Sequence, residues 1–231
     1  MKTHVQFGST RIDYLLEYSD RKTLGITVTP ELTVLVRAPH DAAPDKIREK
    51  VRKRAPWIIK QQSFFLSFHP KTPPRRFVSG ETHLYLGRQY RLKIETSAVE
   101  SVKLKGGFIE VSTADKSRTK KLLGDWYLRN AKTKLIKTAV PLIEKFKKHD
   151  VEPSEIVFRE MATRWGSCTA KGKIILNPEL IKAPKGCIEY VIIHELCHLI
   201  YYDHTQKFID LQTREMPDWE RWKSKLEKIL A

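Results

Sequence analysis

The sequence predicts an α+β fold in which a β-rich platform precedes a helix suited to holding a metal ion. Three patterns carry that expectation. Residues 12–36 and 82–111 alternate apolar and polar side chains with the period of two that a half-buried strand requires. From about Thr113 to Lys148 the apolar residues recur at helical spacing. Residues 191–200 are apolar nearly all round, yet include His194, Glu195 and His198. The expected division is a β-rich half with one basic helix over 1–112 and a catalytic half over 113–231, the two forming one unit.

In chain order, Ile12, Tyr14 and Leu16 mark a first strand, Leu24, Ile26 and Val28 a second, and Leu32, Val34 and Val36 a third. Thr29-Pro30-Glu31 reads as the turn between the last two, and together they suggest a small antiparallel sheet. A basic helix is expected from Asp45 to Phe68. Its positions Ile47, Val51, Ile58 and Phe65 face the sheet, and Trp57 serves as anchor. The proline-rich segment from His69 to Arg76 reads as a link.

Two hairpins follow, one turning at Gly87 and the other at Gly106-Gly107, a favoured two-residue turn. The long helix comes next, with Trp126, Tyr127, Leu135, Ile136, Leu142, Ile143 and Phe146 as its buried stripe and a possible bend at Pro141. A strand at 156–158 and another at 173–176, stopped by Pro178, lead to the apolar helix. After His204 one helix carries Phe208 and Leu211. A last amphipathic helix starts at Pro217-Asp218-Trp219 and carries Trp222, Leu226 and Ile229. No internal repeat is evident.

His194 and His198 are four residues apart, so on a helix both imidazoles leave the same face. Glu195 projects about 100° round from His194, beside an ion rather than on it. This is the H-E-x-x-H arrangement, in which two histidines hold Zn2+ and the glutamate acts as general base on water. Two imidazoles and a carboxylate are costly to bury without a partner, and a metal ion supplies one. A catalytic zinc needs a third protein ligand and an open position. His204 is the candidate, six residues beyond His198. That spacing equals the metzincin one, with Tyr201 where those proteins have glycine. The chain is expected to leave the helix between Tyr201 and His204, with Asp203 as a residue type that tolerates a left-handed exit. Asp203 and Glu189 are candidates to orient the histidines. Tyr201, Tyr202 and Arg164 are candidate transition-state or substrate contacts, each with packing or surface exposure as the plain alternative. The strand 173–176 is a candidate edge for a peptide to join, with an inner strand as its alternative. Trp165 and Trp219 read as core anchors. His4, His40, His69, His83 and His149 have no partner at ligand spacing.

The 231 residues carry a net charge of +16, which favours encounters with anionic partners and says nothing about fold. Nucleic acid is the obvious candidate partner. The lysines and arginines are spread along the whole chain, however, as a solvated surface would have them. No apolar run reaches the length of a membrane span, and the N-terminus has no signal-peptide pattern. The three cysteines form no disulfide framework, as expected in a reducing cytoplasm. Cys197 reads as a small buried apolar residue rather than a ligand.

Arg164-Trp165-Gly166-Ser167-Cys168, Asn177-Pro178-Glu179-Leu180, the motif at 194–198 and Asp203-His204-x-x-x-Phe208 together resemble the YgjP-like metallopeptidases, bacterial zincins related to the WLM and SprT-like proteins. The resemblance spans about residues 155–212. It implies a zincin-like domain and a zinc-dependent hydrolase acting on a peptide or protein substrate. A nucleic-acid-binding protein with a structural or degenerate zinc site is the rival reading, and a non-peptide amide is a further possible substrate.

Overall fold

The computed structural model describes residues 2–8, 10–29, 31–66, 75–161 and 164–230. The chain packs as two compact units, residues 1–72 and 73–231.

In the first unit, β1 (Lys2–Phe7), β2 (Thr10–Tyr18), β3 (Gly25–Val28) and β4 (Val34–Ala38) form a sheet in the order β1-β2-β4-β3. The pair β3/β4 is antiparallel, as expected, and so is β1/β2. The central pair β2/β4 is parallel, which corrects the wholly antiparallel sheet. The reason is burial. Val34, Val36 and Ala38 are almost completely enclosed, so β4 takes the inner slot and β3 goes to the edge. The strand β1 escapes sequence reading because Val5 is its one buried residue and leaves no alternation to see. Leu32 sits in the turn instead of the strand, at φ 65°, and Pro30 lies outside the described residues.

The expected single basic helix is two, α1 (Pro44–Lys53) and α2 (Ala55–Leu66). The break falls at Arg54, two residues before Pro56, whose ring clashes with the carbonyl four residues back and which has no N–H to donate. Ile47, Val51 and Ile58 do join the core of the sheet, with Ile12, Tyr14, Leu16 and Val36. Trp57 does not anchor it, being 39% exposed. The side chain of Phe65 and residues 67–74, which include most of the proline-rich link, lie outside the described residues.

In the second unit, β5 (Thr82–Tyr85), β6 (Arg88–Glu95), β7 (Ser101–Lys105) and β8 (Phe108–Ser112) pair in the order β5-β6-β8-β7. Two antiparallel hairpins are again joined through a parallel inner pair. The strand order of the first sheet therefore recurs, although no repeat is legible in the residues. Both hairpins turn where expected. Leu86 and Gly87 have φ of 49° and 77°, and Gly106 has φ of 56°. The Leu86 and Gly87 amides donate to the carbonyls of Ile181 and Lys182, so this turn braces the segment leading into the helix of His194.

The long helix α3 (Thr119–Phe146) starts later than expected, after a 3-10 turn at Lys116–Arg118 capped by Asp115. Pro141 stays inside it. The strands β9 (Glu155–Phe158), β10 (Gly166–Cys168) and β11 (Lys173–Leu176) then form a small sheet with β11 in the middle. The helices α4 (Lys185–Cys197), α5 (Gln206–Glu215) and α6 (Trp219–Leu230) complete the unit. One core runs through it, from Leu92 and Ile109 of the second sheet, through Leu123 and Leu135 of α3, to Ile192 and Leu196 of α4. Residues 82–112, grouped with the N-terminal half by sequence pattern, thus pack with the helices that follow them. No helix of the described residues is long and apolar enough to cross a membrane.

Candidate metal centre and active site

The helix α4 is enclosed on nearly every side, with Ile188, Val191, Ile192, Ile193, Glu195, Leu196 and Cys197 all buried. Its regular part ends at Cys197, earlier than expected, and His198 is its cap. Leu199 and Ile200 close the last turn with tight bonds to the carbonyls three residues back, and Tyr201 bonds back to Cys197. Asp203 does not take a left-handed conformation; the chain turns without one and enters α5 at Gln206.

This path brings the third imidazole back to the first two. His204 Nε2 lies 3.1 Å from His194 Nε2, and the ligand atoms of His194, His198 and His204 all fall within 4.8 Å of one another. Tetrahedral zinc with bonds of about 2.0–2.1 Å sets ligand nitrogens about 3.3 Å apart, so the spacing fits such an ion. The far nitrogens are engaged as well. His194 Nδ1–H donates to Gln212 Oε1 at 2.7 Å, and His198 Nδ1–H to the Tyr201 carbonyl at 3.1 Å. Each bond fixes the tautomer that leaves Nε2 bare for a cation. Burial lowers the pKa of both rings, that of His194 to about 4, so they are neutral as metal binding requires. Phe208 forms the floor, its ring centroid 4.6–5.0 Å from all three imidazoles.

Glu195 is buried beside them. Burial raises its pKa to about 8, against the pull of the Arg164 charge and the Cys168 amide that donates to it. It lies against β10. A Cβ placed on Gly166 would fall 2.6 Å from Glu195 Oε1, so the strand approaches the carboxylate as only glycine permits. Asn177 holds the loop before that strand. Its Nδ2 donates to the carbonyls of Met161 and Arg164, and its Oδ1 accepts from the Glu179 amide. The strand β11, a candidate edge, is an inner strand; the edges are β9 and β10, and β10 is the one that lines the cleft. Trp165 O accepts from Asn177 and Lys173 O from Thr169, so the peptide groups of Gly166 and Cys168 point away from β11.

These groups line a cleft of about 570 Å3. Tyr202 and Arg164 are on its wall. Tyr201 is not; its ring packs against the core, and its carbonyl does the work. Trp165 also lines the cleft, whereas Trp219 stacks on Tyr190, itself a wall residue. Of the two acids proposed to orient the histidines, Glu189 pairs with Lys185 and Asp203 is exposed on the cleft wall; Gln212 and a carbonyl take that place. Cys197 is fully buried in α4, with burial raising its thiol to about 12. Of the unassigned histidines, His83 pairs with Glu81 and His149 with Glu215, and His69 lies outside the described residues. Sequence reading missed Gln212 and gave Asn177 and Phe208, named within motifs, no role. One signal was available: residues 204, 208 and 212 are spaced four apart, one face of a helix.

No curated protein matches the chain. Residues 22–229 match the model of the YgjP-like metallopeptidase domain, whose name implies a bound metal of the kind three neutral imidazoles hold. The chain, over nearly its whole length, belongs to the YgjP-like metallopeptidase family.

Proposed function

We propose that this protein is a zinc-dependent peptidase in which His194, His198 and His204 hold the ion and Glu195 is the general base. The convergence of three imidazole nitrogens within 4.8 Å, two of them with their tautomer set from behind, is the observation that carries the reading. A zinc ion held by these three imidazoles would supply Lewis acidity to the scissile carbonyl and to the attacking water. The Glu195 carboxylate takes the proton of the attacking water and delivers it to the leaving amine nitrogen. The Cys168 amide and the Arg164 charge both favour the ionised form of this buried carboxyl, the form a base requires. The Cys168 amide is taken by Glu195, but the Gly166 peptide groups and the Cys168 carbonyl suit a substrate that adds as a strand along β10. Tyr202 and Arg164, which line the cleft, are the candidate donors to the carbonyl oxygen as negative charge develops.

The rival reading, a structural zinc, needs a fourth protein ligand. Among the described residues the group contains three. Metal analysis together with a peptide-library digest of the wild type and Glu195→Gln tests the proposal. Both proteins should carry about one zinc per chain, and only the wild type should cleave. Cleavage that persists in the variant and resists chelation, or a chain that binds no zinc, would sink it.

A further inference from the structure

The first unit holds a second groove, of about 600 Å3, between the edge strand β3 and the two short helices. Leu24, Ile26 and the indole of Trp57 give it an apolar lining, and Lys50, Lys53 and Arg54 surround it. Trp57 is 39% exposed and stands outside the core of this unit, with its indole open to the groove. The acids of α1 are already engaged, Asp45 with Arg48 and Glu49 with Lys53. Among the described residues no acid pairs with Lys50 or Arg54. The helices α1 and α2 and the Arg54 between them carry basic residues at 46, 48, 50, 52, 53, 54 and 60 against acids at 45 and 49, so the positive charge continues beyond the groove.

We infer that this groove binds single-stranded nucleic acid, with a base stacked on Trp57 and the flanking phosphates on Lys50 and Arg54. A bare anion has no use for the apolar lining. A flat ring beside two unpaired cations matches the alternation of base face and phosphate in a single strand. The run of charge along α1 favours an oligomer over a mononucleotide. A membrane is a poorer match, because the indole lines a concave groove and does not crown a protruding tip. A duplex offers no base face to the ring.

Fluorescence anisotropy of a labelled oligothymidylate, about twelve nucleotides long, titrated with the full chain tests the inference. Saturable binding is expected, stronger than to a duplex of the same length. Trp57→Ala should weaken it about tenfold or more, and Trp57→Phe should restore most of the loss, as stacking requires. The double variant Lys50→Gln/Arg54→Gln, at exposed positions that leave the core intact, should weaken binding. It should also reduce the salt dependence, by about 1.4 in the log–log slope. Absence of saturable binding overturns the inference, as does binding unaffected by Trp57→Ala in a chain with unchanged circular dichroism. Preference for anionic lipid vesicles over the oligonucleotide, lost in the same variants, would overturn it too and assign the groove to a membrane surface.

Discussion

At Gly166 a hydrogen occupies the place where any other residue would set a carbon against the carboxylate of Glu195. The Cβ of an alanine there would lie 2.6 Å from Oε1 and 2.8 Å from Cγ. The glutamate is enclosed and cannot swing away freely, so the expected effect of Gly166→Ala is a displaced base in a folded protein. Misplacement by about 1 Å costs on the order of 100-fold in rate. Steady-state kinetics should show that loss mainly in kcat, with zinc content unchanged; a variant of normal activity would mean that strand and base are not in register. The glycine was legible as part of a motif, but the reason for it was not. A string of letters does not reveal that residue 166 meets residue 195. Gln212 was hidden in the same way, since an amide side chain on a helix is ordinary until its oxygen is found on an imidazole.

The helix α5 shows how an element far from the chemistry in sequence serves the site. It carries Phe208 and Gln212, and its C-terminal end is held by Glu215, whose carboxylate lies 2.8 Å from Lys148, 2.9 Å from His149 and 3.2 Å from Lys145 at the end of α3. Burial by itself would raise this carboxyl, but the hydrogen bonds from Lys148, His149 and Lys145 outweigh it and hold the pKa at about 2. A carboxyl lowered from its ordinary 4.5 adds stability that is complete above that pH and disappears as the pH falls through about 2. Glu215→Gln should therefore cost about 2–3 kcal/mol near neutral pH, below the usual loss for a broken buried pair because the lysines are half exposed. Urea unfolding near pH 7 and near pH 3 checks this: the gap between wild type and variant should narrow in acid. A gap that is constant with pH would rule out the ion pairs as its source. At this scale the sequence was a good guide to periodic segments. The helices of the C-terminal region and both hairpin turns lie where their apolar spacing and glycines put them. It was a poor guide to β1, which has one inward side chain, and to the helix break at Arg54, where a proline outweighs an amphipathic pattern that runs straight through it.

Two separate cores divide the whole molecule, one within residues 1–72 and one within 73–231. Every histidine of the triad, with Glu195, Gln212 and the strand β10, belongs to the second. A chain of residues 73–231 is therefore expected to fold without the first unit and to retain about one zinc, read by circular dichroism and metal analysis. A fragment without a cooperative transition would show that the second core depends on the first. Spacing along one helix was enough to make His194, Glu195 and His198 candidates, because a rise of 1.5 Å per residue makes positions four apart neighbours in any fold. Fold class followed from periodicity for a similar reason: burial of one face leaves its mark on consecutive residues. Sheet order, the return of His204, the glycine against the base and the amide behind His194 were decided by tertiary structure alone. Each is a contact between residues distant in the chain, made only when the core brings their elements together.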